Sequence, residues 1–354
     1  MWTTRGAPLA RRRSSGAAPQ PGFAELLAPH HHDRDPAYGM MLRFRRMARF
    51  FRSWSKHATI SVAVSPVTDC PLVLGGHSFI AQLGNDPPAS VQAQRDIVAS
   101  CLDHGIRWFD TTYQPERIAL GRALHALGRR AEATILAWNF FTDFGAGDAV
   151  GGPSCLRPEH IDVILEQLRT SYVDGLVVVT RDDPDENLEQ QALMLEWRRR
   201  GYVRALGLWV PDRATVRRKG ADNPFQLAVG PGNVMTRDAD TVFADCKRAG
   251  WQTLAASPFG RGWELESMTS AAAAGRDEAP EALLPRLADL MLRFSLFQGH
   301  VDRVIVGMRR LEWIPHNLAS VARGPLTDEE QRWLLRMRRA IVWRRRRQRL
   351  RRLL

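Results

Sequence analysis

The sequence is poor in cysteine and in long apolar runs, and each of these two scarcities argues against a class of protein. Its four cysteines are widely spaced with no Cys-x-x-Cys pair, which argues against a disulfide scaffold or a thiolate zinc site. No apolar run reaches the roughly 18 residues of a transmembrane helix. The N-terminal residues lack the apolar core of a secretory signal. We therefore expect a cytoplasmic protein with no metal centre.

Basic charge is concentrated at the two ends of the chain. Residues 1–65 carry ten arginines, one lysine and three acids, whereas residues 336–354 carry ten arginines and no acids. The formal net charge of +12 therefore leaves a balance of −6 on residues 66–335. Specific nucleic-acid binding is not expected, because it calls for basic residues on the folded domain itself. The arginines are either solvated tails or contacts for polyanions or an anionic membrane surface.

Residues 1–65 are interpreted as a basic, largely disordered extension. Residues 1–39 are rich in Pro, Gly, Ala, Ser and Arg and show no hydrophobic periodicity. Residues 40–56 differ, because apolar side chains recur there at helical spacing with arginines between them. This pattern predicts an amphipathic helix that lies on a membrane or closes the bottom of a barrel. The Arg-rich tail, residues 336–354, is predicted to be disordered or helical.

Between these ends, residues 66–335 alternate eight short apolar runs with eight helical patterns. This alternation predicts an α/β fold, a TIM (β/α)8 barrel, and the span 70–325 is close to the typical ~250 residues. An open doubly wound sheet would place a Gly-x-Gly-x-x-Gly turn after its first strand, and the turn at 75–77 does not match. The predicted strands are Leu72–Gly75, Trp108–Thr112, Ala133–Trp138, Gly175–Thr180, Val203–Val210, Phe225–Val229, Gln252–Ser257 and Val304–Gly307. The predicted helices lie near 89–104, 115–128, 157–171, 185–200, 212–220, 237–249, 281–297 and 310–322.

Four segments resemble motifs of the aldo-keto reductase family, and they occur in the family's order. Residues 105–121, GIRWFDTTYQPERIALG, resemble its Asp-Thr-Ala-x-x-Tyr-Gly signature with the following Glu and Leu-Gly. Residues 202–207, YVRALG, are similar to its Lys-Val-Arg-Ala-Ile-Gly strand, and residues 256–262, ASPFGRG, to its Tyr-Ser-Pro-Leu-Gly-x-Gly loop. Residues 290–317 resemble its Ala-Leu-Arg-Trp…Gly…Asn ending. The resemblance implies hydride transfer from NADPH to a carbonyl.

In that family a tyrosine donates the proton, with the help of a lysine, a histidine and an aspartate. The resemblance assigns the aspartate to Asp110. Tyr113 follows after three residues where the family spaces five, so it is either the proton donor on a shortened loop or a neighbour of a lost position. The lysine position falls on Trp138 or Asn139, and the histidine position falls on Val179.

Other departures affect the residues that would surround the nicotinamide. The pair Trp209-Val210 stands where the family has Ser-Asn, and Ala256 stands where it has a stacking tyrosine. A free tyrosine has a pKa near 10 and needs a nearby cation to exchange protons near neutrality. His77, which follows the first strand, is either a replacement for the missing histidine or a structural loop residue, and Asn139 is another candidate helper.

The predicted phosphate end keeps more of the family pattern. Barrels often hold phosphate in the loops after strands seven and eight. Glycines there allow close backbone approach, and arginines offer donors to a pyrophosphate or a 2′-phosphate. The alternative is a tight turn flanked by solvated arginines. The candidate NADP(H)-binding residues are Ser257, Gly260, Arg261, Gly262, Arg309, Arg310 and Asn317.

Two functions of different class follow. The first is an NADPH-dependent oxidoreductase for a small-molecule carbonyl, with a non-standard site. Its candidate catalytic residues are Asp110, Tyr113, His77 and Asn139. The second is a barrel that has lost hydride chemistry and acts as a nucleotide-binding or interaction module, since a fold alone does not decide function.

Overall fold

The protein is described by a computed structural model that covers residues 70–80, 89–141, 153–218, 220, 223–236, 238–273 and 280–353. The predictions for the N-terminal extension and for the amphipathic segment 40–56 lie outside the described residues.

Eight parallel strands form one closed barrel, and each strand pairs with the next along the chain. The last strand closes the ring on the first, with Leu72 opposite Val304 and Leu74 opposite Val306. The prediction of a TIM (β/α)8 barrel is therefore confirmed. The strands are β1 Leu72–Gly75, β2 Trp108–Thr111, β3 Thr134–Trp138, β4 Val173–Val178, β5 Val203–Trp209, β6 Leu227–Pro231, β7 Gln252–Ala256 and β8 Arg303–Val306.

Helices alternate with the strands around the outside of the barrel, and several begin at the caps that the sequence offers. Ser90 accepts a hydrogen bond from the Ala93 N–H, and Asp183 stands directly before a helix that opens on Pro184. The helices of the described part are α1 Val91–Asp103, α2 Gln114–Leu127, α3 His160–Leu168, α4 Pro184–Arg199, α5 Arg213–Val216, α6 Asp238–Arg248, α7 Trp263–Ala273, α8 Pro280–Leu296, α9 Trp313–Ala322 and α10 Asp328–Leu353.

Small and large side chains alternate where the barrel interior is filled. Gly175 on β4 lies between Leu136 of β3 and Leu227 of β6, and a Cβ atom on Gly175 would lie 2.5 Å from the Leu136 side chain and 2.8 Å from that of Leu227. The interior is therefore a packed core with no central channel at this level, as in other barrels of eight strands.

A second apolar cluster lies outside the barrel and holds the C-terminal helix. It joins α7 and α8 to Trp333, Leu334 and Ile341 of α10. The start of α10 is fixed by the buried Arg293, which donates to the carbonyl oxygens of Gly324 and Pro325 and to the carboxylate of Glu330. Of the two states predicted for the C-terminal tail, the structure shows the helical one. The sequence analysis did not predict α7.

Candidate functional site

The candidate residues gather at one rim of the barrel. In a parallel barrel all strands end at the same rim, and active sites of this architecture lie there. Asp110 lies near the end of β2, and the order β7-β8-β1-β2 around the ring makes the loops after β7, β8 and β1 its neighbours. The structure therefore brings the predicted phosphate loops to the same rim as Asp110.

Asp110 is buried, and its carboxylate is held by an indole. Trp138 Nε1 donates to Asp110 Oδ1 at 2.6 Å, and the Thr112 hydroxyl lies 3.5 Å from Oδ2. Burial and, after it, the nearby charge of Glu116 raise the pKa of Asp110 to about 7, against the lowering effect of the Trp138 hydrogen bond. A neutral N–H group thus stands at one of the two positions predicted for the lysine, and the carboxyl group exchanges its proton near neutral pH.

Glu116 organises the residues next to Asp110. It is fully buried in the first turn of α2, and its Oε2 accepts hydrogen bonds from the backbone N–H groups of Thr112 at 2.7 Å and Tyr113 at 3.1 Å. Such a carboxylate satisfies N–H groups at a helix start that would otherwise lack a partner. Its Oε1 lies 3.0 Å from His77 Nδ1. Glu116 therefore ties the β1 loop to the start of α2.

Tyr113 and His77 stand side by side. Their ring centroids are 5.5 Å apart, and the Tyr113 ring packs edge-on against Phe140 at 5.4 Å. Tyr113 is 5% exposed, whereas the His77 side chain is 29% exposed and so reaches solvent. The structure thus brings together three of the four predicted catalytic residues: Asp110, Tyr113 and His77.

Asn139 occupies a different environment from the other three. Its side-chain amide donates to the carbonyl oxygens of Ser154 and Val179 and to Gln190 Oε1, and its Oδ1 accepts from the Val179 N–H at 2.9 Å. These contacts tie the end of β3 to the residues after β4. The catalytic role predicted for Asn139 stays a prediction, and its contacts are those of a residue that holds the rim together.

Arg117 is a rim residue that the sequence analysis missed. It is fully buried, and its guanidinium donates to the carbonyl oxygens of Thr112 and Phe140 and to Gln167 Oε1. Burial lowers the pKa of Arg117 to about 10. A signal was present, because Arg117 lies three and seven residues before Leu120 and Leu124, on the apolar stripe of the helix. A charge on such a stripe indicates a buried, hydrogen-bonded group.

Aromatic side chains cover the centre of the rim beside Asp110. Trp138 lies 5.6 Å from Trp209 and 6.2 Å from Phe140 between ring centroids. Trp138 and Phe140 are buried, and Trp209 is partly exposed. The residues after β5 and β7 adopt the left-handed conformation without being glycine, with φ of 42° at Val210 and 57° at Ser257. Such strain is found at functional sites more often than elsewhere.

The loop after β7 has the backbone form that a phosphate site needs. Gly260 and Gly262 have φ of 53° and 89° within a short 3-10 turn, a conformation that glycine adopts without strain. Asn233 Nδ2 donates to the Ser257 carbonyl oxygen at 2.9 Å and fixes the start of this loop. The side chain of Arg261 lies outside the described residues.

The loop after β8 combines one engaged arginine with one exposed arginine. Arg309 Nη2 donates to the Ile80 carbonyl oxygen at 2.6 Å, whereas the Arg310 side chain is 69% exposed and lies 3.9 Å from Glu312. Asn317 is buried on α9, which follows this loop. Ser78, which the sequence analysis also missed, accepts from the Met308 N–H at 2.8 Å and thereby joins the β1 loop to the β8 loop.

In the part of the chain that the structure describes, no three or more His, Cys, Asp or Glu side chains form a group that could hold a metal ion. Within the same residues, no helix combines the length and the apolar character needed to cross a membrane.

The fold is a (β/α)8 barrel with its candidate residues at one rim. The model of the aldo/keto reductase family matches residues 71–334, and the chain belongs to this family. Membership implies oxidoreductase chemistry.

Two solved structures share the fold at low sequence identity. One is the aldo-keto reductase AKR11C1 from Bacillus halodurans in its holo form, with a TM-score of 0.59 and 20% identity over 76% of this chain and 92% of that one. The other is the thermostable aldo-keto reductase Tm1743 in complex with the inhibitor epalrestat, with a TM-score of 0.54 and 19% identity over 76% and 95%. No curated protein sequence matches the chain.

Proposed function

We propose that the protein is an NADP(H)-dependent oxidoreductase that interconverts a small-molecule carbonyl and its alcohol through a rearranged proton-transfer site. One observation carries the proposal: Asp110, Tyr113 and His77 lie together at the rim beside the loops after β7 and β8, and Glu116 joins Tyr113 to His77. The bound dinucleotide supplies the hydride.

The residues of the β7 and β8 loops fit a dinucleotide phosphate. A Cβ atom added at Gly262 or at Gly307 would meet nothing within 4 Å, so the backbone there is open to a ligand, whereas Gly260 packs against the Glu264 side chain. Arg310 is exposed at the same rim, and a guanidinium suits both pyrophosphate and a 2′-phosphate. We assign Ser257, Gly260, Arg261, Gly262, Arg309, Arg310 and Asn317 to cofactor binding.

Proton transfer in this proposal runs through Tyr113 and His77. In reduction, the Tyr113 hydroxyl gives its proton to the carbonyl oxygen while the carbonyl carbon receives the hydride. His77 is the cation-capable group beside that ring, and its Nδ1 lies 3.0 Å from the Glu116 carboxylate. Because His77 reaches solvent, it can restore the proton to Tyr113 between turnovers. This pairing replaces the lysine and histidine of the family pattern.

Asp110 and Trp138 have a supporting role in the same scheme. The hydrogen bond from Trp138 Nε1 orients the Asp110 carboxyl group, and the raised pKa lets Asp110 hold a proton at neutral pH. An aromatic rim built from Trp138, Trp209 and Phe140 favours a flat apolar carbonyl compound. We therefore propose aromatic aldehydes as the substrate class to assay first.

The test is turnover of an aromatic aldehyde with NADPH, followed at the nicotinamide absorbance. Tyr113→Phe is expected to lower kcat by at least 100-fold with the NADPH dissociation constant unchanged, because general acid catalysis contributes about 10²–10⁴-fold. Tyr172→Phe is the matched control, since Tyr172 stands at the start of β4 on the opposite rim. Equal kcat values in the Tyr113→Phe variant and the wild type would remove Tyr113 from the mechanism.

A second function is favoured by the aromatic contacts of Trp138. Its indole donates the hydrogen bond to Asp110 and packs on Trp209, so within the described residues no ammonium group faces Asp110. A barrel of this kind could bind the dinucleotide without reducing a carbonyl. Tight NADPH binding in fluorescence titration, together with no turnover of any reactive aldehyde, would favour this nucleotide-binding module over the oxidoreductase.

A further inference from the structure

Helix α10 is attached to the barrel along one face. Trp333, Leu334 and Ile341 are buried against α7 and α8. Farther along, Arg345 donates through Nη1 and Nη2 to the two carboxylate oxygens of Glu264 at 2.9 Å each. Leu334, Ile341 and Arg345 are seven and four residues apart and so lie on the same side of the helix, with Trp333 next to Leu334. The opposite side is left to solvent.

The solvent side of α10 carries arginines together with two large apolar side chains. Positions 332, 336, 339, 343, 347 and 350 recur every three or four residues and so share one face, about 27 Å long at 1.5 Å per residue. We call this the basic face. It consists of Arg332, Arg336, Arg339, Trp343, Arg347 and Leu350, all of them exposed.

The charge of the basic face is not balanced within the helix. The acidic residues of α10, Asp328, Glu329 and Glu330, all lie in its first turn, and no acid follows from residue 331 to the end of the sequence. Arg344 and Arg346, next to the basic face, are exposed as well. The basic face of a second copy is a poor partner for this face, because like charges would oppose each other.

The two apolar side chains of the face decide between a membrane and a nucleic acid. Trp343 is 57% exposed and Leu350 is 61% exposed, and they lie seven residues apart on one line. Arginines bind the phosphates of either partner. A duplex exterior offers nothing apolar to Leu350, whereas the boundary between headgroups and acyl chains accepts both tryptophan and leucine.

We propose that the basic face of α10 docks reversibly on an anionic lipid membrane, with its arginines on lipid phosphates and with Trp343 and Leu350 inserted at the headgroup boundary. Clusters of four to eight arginines or lysines on a helix are typical of anionic-lipid binding. The face has few apolar residues, so the attachment depends mainly on charge and weakens as salt is raised.

The experiment is co-sedimentation of the full chain with phosphatidylcholine vesicles, with and without phosphatidylglycerol, at low ionic strength. Binding is expected only to the vesicles that contain phosphatidylglycerol. The triple variant Arg336→Gln, Arg339→Gln, Arg347→Gln is expected to lower the partition coefficient about 100-fold, since each arginine near the surface contributes roughly fivefold. Unchanged binding of this triple variant overturns the proposal.

The matched control removes three positive charges from the barrel body instead of from α10. Arg157, Arg199 and Arg248 have side chains that are 65%, 67% and 73% exposed on the barrel body. Replacing all three with Gln is expected to change the partition coefficient by less than twofold. The N-terminal 65 residues are identical in every variant, so a difference between the two triple variants belongs to α10. Circular dichroism checks that both remain folded.

The apolar pair separates a membrane from a nucleic acid. The double variant Trp343→Ser, Leu350→Ser is expected to lower vesicle binding about tenfold and to leave the binding of a fluorescein-labelled DNA duplex unchanged. A wild-type chain that binds the duplex more tightly than the anionic vesicles, or equal binding to neutral and anionic vesicles, would contradict the membrane assignment.

Discussion

Two sectors of the same barrel rim differ in how they are stabilised and in how far they are exposed to solvent. In the sector of β1 to β3, side chains are buried and joined by hydrogen bonds, as in the contacts of Asp110, Glu116 and Arg117. In the sector of β7 and β8, the backbone turns at left-handed glycines and Arg310 stands in solvent. Changes in the first sector should therefore alter folding, whereas changes in the second should alter ligand binding and leave folding intact.

The largest expected effect concerns Asp110 and pH. Because its pKa is raised from about 4 to about 7 in the folded protein, the unfolded state loses this proton first as pH rises. The contribution of Asp110 to the free energy of unfolding therefore falls by about 1.4 kcal/mol per pH unit between about pH 4 and 7, up to ~4 kcal/mol in all. Asp110→Asn should remove this slope, as measured by urea unfolding at several pH values.

The control for this titration is Asp103→Asn, whose side chain is 62% exposed. It should keep the pH slope of the wild type. An identical slope in the Asp110→Asn variant would show that the buried carboxyl group titrates as it does in the unfolded chain.

The next effect is on stability alone. Arg117→Leu removes donors from the carbonyl oxygens of Thr112 and Phe140 and from Gln167. We expect a loss of about 3 kcal/mol in the free energy of unfolding, because one buried and two partly buried acceptors lose a charged partner. Arg157→Leu, at a side chain that is 65% exposed, should change it by less than about 0.5 kcal/mol. Similar midpoints for the two variants in urea would contradict the buried role of Arg117.

Alanine substitution at one glycine in each sector compares the stability of the two sectors directly. A Cβ atom at Gly76 would overlap the Glu116 carboxylate, whereas a Cβ atom at Gly307 would meet nothing within 4 Å. Gly76→Ala should therefore destabilise the protein by about 2 kcal/mol, in the range of an overpacked core. Gly307→Ala should leave the thermal midpoint within about 2 °C of the wild type. The reverse order would mean that the β1 loop is not packed on Glu116.

The smallest effect is expected at Arg310 and should appear only in ligand binding. Arg310→Gln should weaken NADPH binding about tenfold, the loss of one charge-assisted contact to phosphate, and leave the unfolding midpoint unchanged. Fluorescence titration with NADPH and with NADH shows whether the 2′-phosphate is the group involved. An Arg310→Gln variant with wild-type affinity for both would exclude Arg310 from the cofactor site.

The closed ring of strands could be predicted because its signals are local. Each strand is a short run of apolar residues between helical patterns, and Ser90 caps the helix predicted near 89–104. The rim position of Asp110 followed from the same alternation, since the carboxyl ends of parallel strands meet at one rim.

The contacts at the rim could not be predicted, because they join residues distant in sequence. The hydrogen bond from Trp138 to Asp110 spans 28 positions, and the contact of His77 with Glu116 spans 39. The hydrophobic periodicity of the sequence contains no information about contacts between such distant residues. Helix α7 was missed because its segment, WELESMTSAAA, shows no clear apolar stripe. Helix α10 extends well past the predicted end of the barrel because its second half is stabilised by Glu264 and Ile341.

The buried Arg293 gives helix α10 a fixed direction. Its guanidinium holds Gly324 and Pro325, the two residues at which the chain turns out of α9, and Glu330 in the first turn of α10. The arginines beyond residue 335 therefore lie on a helix whose start is hydrogen-bonded to α8 through Arg293. A partner that binds helix α10 therefore also determines the orientation of the barrel relative to that partner.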